Sequence, residues 1–178
     1  MRAAWLACAA VLAGCGAAQA RADRFVGQPL PLVVQDLATA RPLDPARWRG
    51  QVVVVDLWAS WCESCKAAMP HHVRLWQRLH ARGLEVVAVS VDEDCNAARE
   101  FLQQMPLPFV VAWDAGQRTV AQLQPAEMPT TYVLDRQGIV RAEINGATAA
   151  ALRTLDAAVE AALEATPAQQ GDHDKPTP

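Results

Sequence analysis

Asp56-Leu57-Trp58-Ala59-Ser60-Trp61-Cys62-Glu63-Ser64-Cys65 closes an apolar run that begins at Val52. The run from Val52 to Trp58 is nearly continuous in apolar residues, the pattern of a strand covered on both faces. The residues after Cys62 have helical spacing. Two cysteines two residues apart at a strand-to-helix junction read as a redox pair. In thiol-disulfide exchange a thiolate attacks a disulfide sulfur, a mixed disulfide forms, and a second thiol resolves it. Two intervening residues let one helical turn hold both sulfurs.

A helix N-terminus presents unpaired N–H groups and the positive end of the dipole, both of which favour a thiolate. Cys62 is therefore expected to be the exposed nucleophile and Cys65, one turn in, the buried resolving thiol. Glu63 opposes ionisation of Cys62 and Lys66 favours it; both are expected in solvent, which leaves the helix terminus to decide. The same two cysteines could form a structural zinc half-site or a static disulfide. Zinc sites of that type want a second pair, and downstream there is only Cys95.

Asp56 interrupts the apolar run. With period two it shares a face with Val54 and Trp58, so it is expected to point into a packed layer. A buried carboxylate is costly unless paired, hydrogen-bonded or neutralised. Six residues before Cys62, Asp56 could exchange protons with Cys65. The plainer alternative is a strand-end aspartate, solvated or capping.

With 178 residues, 52% hydrophobic and 20% charged, the chain suits one domain with a sizeable core. A net charge of -3 argues against a nucleic-acid partner. Of six tryptophans, Trp58 and Trp61 flank the cysteine pair, Trp48, Trp76 and Trp113 read as packing residues, and Trp5 falls in a leader. Met1-Arg2 followed by the apolar stretch Ala3 to Ala13 has the form of a signal peptide, too short to span a bilayer. Leu12-Ala13-Gly14-Cys15 looks like a bacterial lipobox, which makes residues 1–14 a signal peptide of lipoprotein type and Cys15 the lipid-modified first residue. The alternative exit is Ala18-Gln19-Ala20, a small-x-small cleavage site that releases a soluble periplasmic protein. Either way the domain is exported, and the pair meets an oxidising compartment. Residues 15–24 read as a tether, 25–165 as the domain, and 166–178 as a disordered polar tail carrying His173.

Along the chain, Phe25 to Val34 with Gly27, Pro29 and Pro31 reads as an extended edge segment. Leu37 to Gly50 is a turn-rich connection whose Leu43 and Trp48 pack on the sheet. The helix from about Cys62 to Arg82 sets Cys65, Met69, Val73, Trp76 and Leu79 on one stripe, with Pro70 removing a backbone bond. His71, His72 and His80 read as surface or packing residues, and no metal site is expected. Gly83 ends that helix, and Leu84 to Val91 is a second strand in βαβ relation to the first. Asp92-Glu93-Asp94 reads as a solvated loop, with Asp94 or Asn96 capping a helix to Met105. Cys95, at the start of that helix where a thiolate is favoured, is expected to pack, the alternative being a regulatory or intermolecular disulfide. Phe109 to Trp113 is a short strand, Val120 to Leu123 a helical turn, Tyr132 to Asn145 a hairpin around Asp135-Arg136-Gln137-Gly138, and Ala149 to Ala165 a helix capped by Thr148.

Val55-Asp56-Leu57-Trp58-Ala59-Ser60-Trp61-Cys62, Cys65 with Pro70 five residues on, and Met128-Pro129-Thr130-Thr131 ahead of a hairpin together resemble the thioredoxin superfamily. The exported leader and Trp48-Arg49-Gly50 look like its TlpA/ResA branch of bacterial extracytoplasmic thiol-disulfide oxidoreductases. The resemblance covers about Phe25 to Ala165. It implies an α/β thioredoxin fold, a central mixed sheet flanked by helices, with an N-terminal extension and a C-terminal helix. It further implies a cis Pro129 facing the cysteines, and a Met128 backbone that pairs with an extended substrate beside Trp61. Two departures stand out: the inner dipeptide Glu63-Ser64 lacks the proline of many relatives, and Ala68 stands where this branch often has a glutamate. Asp56 matches the buried aspartate of thioredoxin instead, so a proton relay is expected to run through Asp56.

The resemblance implies a reductant of protein disulfides that needs no cofactor. Its expected clients are apocytochromes c awaiting haem or copper-site assembly proteins, and its electrons come from a membrane thiol transporter of the DsbD/CcdA kind. The alternative is a Cu(I)-binding assembly module using the two thiolates as soft ligands, although the wider cysteine spacing and distal histidine of copper chaperones with this fold are not evident. An oxidant or isomerase is disfavoured because no extra helical domain fits between the strands. A peroxidase is disfavoured for want of a peroxide-binding threonine before the first cysteine.

Overall fold

The computed structural model describes residues 24–165. Trp5, the Leu12-Ala13-Gly14-Cys15 segment, Ala18-Gln19-Ala20 and the tail from 166 lie outside the described residues. The valine run is β3 (Val52–Trp58), and all seven of its residues are buried. It lies inside a mixed sheet with strand order β2-β1-β5-β4-β3-β6-β7, built from β1 (Val34–Asp36), β2 (Pro42–Leu43), β4 (Leu84–Ser90), β5 (Val110–Trp113), β6 (Thr130–Leu134) and β7 (Val140–Asn145). β3, β4 and β5 run parallel, while β6 pairs antiparallel with β3 and β7 with β6. Strands buried on both faces read as unbroken apolar runs, which is why β3 and β4 carry so little alternation.

Three helices lie between strands, α1 (Glu63–Leu79), α2 (Cys95–Gln104) and α3 (Arg118–Leu123), and α4 (Ala149–Glu164) follows the last strand. Asp56 and Trp58, two residues apart on β3, point to one face of the sheet. Asp56 meets His72 of α1 there, and Trp58 stacks on Phe101 of α2 with ring centroids 5.4 Å apart. Both helices therefore cover that face. α4 joins α1 through His71–Asp156 at 3.0 Å and Arg82–Glu160 at 2.8 Å.

Several expectations need correction. The long helix ends at Leu79 and tightens into a 3-10 turn, His80–Arg82, before Gly83 at φ 94° releases the chain into β4. Its buried face is Cys65, Ala68, Met69, His72, Leu75 and Leu79. Val73 and Trp76 lie half-buried at the margin. The apolar side chains had drawn the stripe one position too far round, because the polar His72 occupies a core position. Asp92, expected in solvent, is 3% exposed. Of the extended edge segment expected over Phe25 to Val34, residues 25–27 lie in a turn, Pro29 makes a single bridge to Ile139, and only Val34 enters β1; the outermost strand beside β1 is β2, where Pro42, having no N–H to offer, suits an edge. Asp94 caps α2 by accepting from Asn96 N at 2.9 Å, and Thr148 caps α4 by accepting from Ala151 N at 3.2 Å. Leu43 and Trp48 are buried as expected.

Candidate active site around the Cys62–Cys65 disulfide

Cys62 and Cys65 are joined as a disulfide. The site sits where β3 ends and α1 begins. Cys62 is the N-cap of α1, and its sulfur accepts from Cys65 N at 3.2 Å. A sulfur in that position takes the place a capping oxygen would hold, against the positive end of the helix. Ser64 Oγ lies 3.4 Å from the same sulfur. Cys65 is fully buried, as expected, but Cys62 in this closed form is only 6% exposed. The prominent side chain at the tip is Trp61, 65% exposed. Cys62 is covered because its sulfur turns inward toward Cys65 and the helix start, whereas Trp61 precedes the helix and has no layer to enter.

Glu63 and Lys66 pair at 2.5 Å across one helical turn, and Lys66 also lies 5.9 Å over the Phe101 ring. Their opposed influences on the adjacent sulfur therefore largely cancel, which leaves the helix terminus as the dominant field.

Across from the disulfide, the Met128–Pro129 peptide is cis. Ser64 Oγ donates to Met128 O at 3.2 Å, which brings the inner dipeptide of the cysteine pair against this loop. A cleft of about 470 Å³ opens alongside, lined by Trp61, Asp92, Glu93, Gln117, Pro125 and Met128 among others. A roomier one, about 630 Å³, lies around Leu37, Arg99 and Phe109, away from both sulfurs. Chemistry rather than size selects the former.

The loop carrying Ser60-Trp61 is fastened from below by Asp92. Its carboxylate accepts from Ser60 N at 3.0 and 3.1 Å, from Ser60 Oγ at 2.8 Å, and from Ser90 Oγ at 2.8 Å. Gln117 Nε2 donates to Val91 O at 2.8 Å, and Trp113 Nε1 to Asp92 O at 2.7 Å. The sequence held one signal of this, an aspartate two residues past the end of a buried strand, but acidic neighbours disguised it as solvated loop.

Asp56 is fully buried, opposite Ala88 on β4 and Thr131 on β6. Thr131 Oγ1 donates to Asp56 Oδ1 at 2.8 Å. His72 Nε2 stands 3.3 Å from the same oxygen, an ion-pair separation. Burial by itself pulls the His72 imidazole down, but the Asp56 carboxylate, with Asp156 beyond it, outweighs burial and raises its pKa above the ordinary 6.5. His72 thus differs from His71, which meets Asp156 at 3.0 Å, and from His80, which stacks on Trp76 at 4.4 Å. Those two fit the expectation of surface or packing residues, His71 half-buried and His80 exposed. Cys95, half-buried, receives Arg99 Nη1 at 3.1 Å.

The AhpC/TSA family profile matches residues 26–143. Thiol-disulfide oxidoreductase ResA of Bacillus thuringiensis (strain Al Hakam) is 30% identical over 122 residues, which span 68% of this chain and 70% of that protein. ResA of Bacillus subtilis (strain 168) is 25% identical over 120 residues, 67% of each chain. Among solved structures, a Chlorobium tepidum protein described as a thiol:disulfide interchange protein DsbE superimposes with a TM-score of 0.72 at 31% identity, covering 78% of this chain and 97% of that one.

Proposed function

Since this chain belongs to the AhpC/TSA family of the thioredoxin superfamily and is by kinship a thiol-disulfide oxidoreductase, we propose that its net work is to reduce disulfides of exported proteins through Cys62 and Cys65. The observation that carries this reading is the closed disulfide at the tip of α1, with one sulfur at the helix N-terminus and its partner buried one turn in. The Cys62 thiolate attacks a client disulfide, and the first client sulfur leaves as thiolate and takes a proton from water. Cys65 then surrenders its proton and attacks Cys62 Sγ. The Cys62–client bond breaks, and the second client sulfur departs with the electron pair. Two electrons have passed to the client, and the chain is left in its disulfide form. Asp56 relays the proton of Cys65, Met128 and Pro129 hold the client strand, and exposed Trp61 gives it an apolar wall.

Among the described residues no helix is long and apolar enough to cross a membrane. The Cys15 lipid signal is what ties the domain to the periplasmic side of a membrane; without it the protein is soluble periplasmic. There a thiol transporter of the DsbD/CcdA kind returns electrons to the pair, and apocytochromes c or copper-site assembly proteins are the clients.

The deciding measurement is the equilibrium of the Cys62/Cys65 couple against glutathione. A potential near that of thioredoxin, about −270 mV, supports a reductant, whereas one near the roughly −120 mV of DsbA makes the protein an oxidant and removes the proposal. Stoichiometric copper on the reduced protein with no disulfide reductase activity would select the Cu(I) alternative.

A further inference from the structure

His72 and Asp56 make an improbable pair for a packing role. They are 1% and 0% exposed, and, among the described residues, Asp56 Oδ2 and His72 Nδ1 have no hydrogen-bond partner, while His72 Nε2 meets only the carboxylate, at 3.3 Å. A buried polar group left unpaired costs about 1–3 kcal/mol. A leucine at 72 would fill a similar volume without that penalty. The pair also lies in line with the resolving thiol. Cys65, Ala68 and His72 fall at i, i+3 and i+7 on the buried face of α1. Helical rise sets His72 about 10 Å along the axis from Cys65. Between them stands Ala68, whose methyl group screens little, and Asp56 approaches the same face from β3.

We propose that His72 is a positioning residue for resolution: it and Asp56 hold protons as one unit, and that unit takes the proton Cys65 releases when its sulfur attacks Cys62. The inference rests on the reductase reading above. In this step the Cys65 S–H bond breaks and its proton enters the unit, leaving carboxylate and imidazolium side by side. The Cys65–Cys62 bond forms, the Cys62–client bond breaks, and the electron pair leaves on the client sulfur. Re-reduction of the disulfide by the thiol donor returns the proton to Cys65.

The groups facing His72 are few. Asp56 comes from β3, with Thr131 of β6 donating to it. Asp156 comes from α4, itself held by His71 Nε2 at 3.0 Å and Arg78 Nη2 at 3.8 Å. On its own helix, the His71 ring lies 6.1 Å away.

The test follows the mixed disulfide formed between the reduced full chain and a small aromatic disulfide, with the release of the second thiol timed from pH 5 to 9. The titration of His72 is read separately by NMR on the wild-type protein. Release is expected to slow roughly tenfold for each pH unit below the His72 midpoint, because an already protonated unit cannot accept another proton. The kinetic inflection is expected to coincide with that midpoint. His72→Gln is expected to abolish the inflection, and the rate of initial attack, measured in the same traces, reports whether its site still assembles. A wild-type profile flat across the His72 midpoint overturns the inference without need of a variant, as does an unchanged inflection in His72→Gln. If the wild-type chain reduces no disulfide at all, the reductase reading falls instead.

Discussion

Thr131→Val keeps the shape of a β6 side chain and deletes the hydroxyl that donates to Asp56 Oδ1. A buried carboxylate deprived of a donor costs about 1–3 kcal/mol. The variant should melt correspondingly earlier by calorimetry; an unchanged melting temperature would show that the hydroxyl contributes little. His72 gives a pH dependence at the same scale. Its pKa is raised by folding above 6.5, so the stability it contributes is complete below about 6.5 and is lost as pH rises through the folded value. Urea midpoints of the disulfide form should fall from pH 6 toward pH 9, and His72→Gln should flatten that decline. A wild-type midpoint that climbs over the same window would contradict the assignment. At this scale the cysteines and Asp56 were legible because spacing and alternation are local properties. His72 and Asp92 were not, because their partners arrive from β3 and from the Ser60 loop, and no pattern of period two or 3.6 encodes a partner across the sheet.

At the scale of elements, β3, β4, the β6–β7 hairpin and α4 could be read from hydrophobic runs, turn residues and caps. α1 was legible in extent but rotated in its reading, since an apolar stripe can be traced only through residues that look apolar. α4 fixes the face on which Asp56 and His72 are enclosed, with Leu155 and Val159 buried on it. Leu155→Ala should destabilise by about 2–5 kcal/mol, the usual cost of a buried leucine with incomplete collapse of the cavity. Because α4 carries none of the sulfur chemistry, reductase turnover below the melting transition should persist. A variant that stays stable would mean the helix is dispensable to the core. Asp92→Ala is different in kind: it unfastens the Ser60 loop from β4 and should reduce the rate of attack by Cys62 more than it lowers the melting temperature. A loss of stability with attack rate intact would deny the loop its role in aiming the sulfur.

The molecule as a whole combines a sheet in which β3 lies between β4 and β6 with a reactive rim at the C-terminal end of β3. Residues 1–23 and 166–178 lie outside the described residues, so the anchoring proposed for Cys15 is tested on cells: on that proposal Cys15→Ser should move the protein from the membrane fraction to the soluble fraction. Retention in membranes would dismiss the lipid signal. One contact at the rim has a consequence for client choice. Ser64 Oγ donates to Met128 O, the acceptor that the proposed docking of a client strand would call on. A carbonyl oxygen carries two lone pairs, so on that proposal a visiting backbone either shares this oxygen with the serine or displaces it, and removing the hydroxyl in Ser64→Ala would leave the berth open to looser fits.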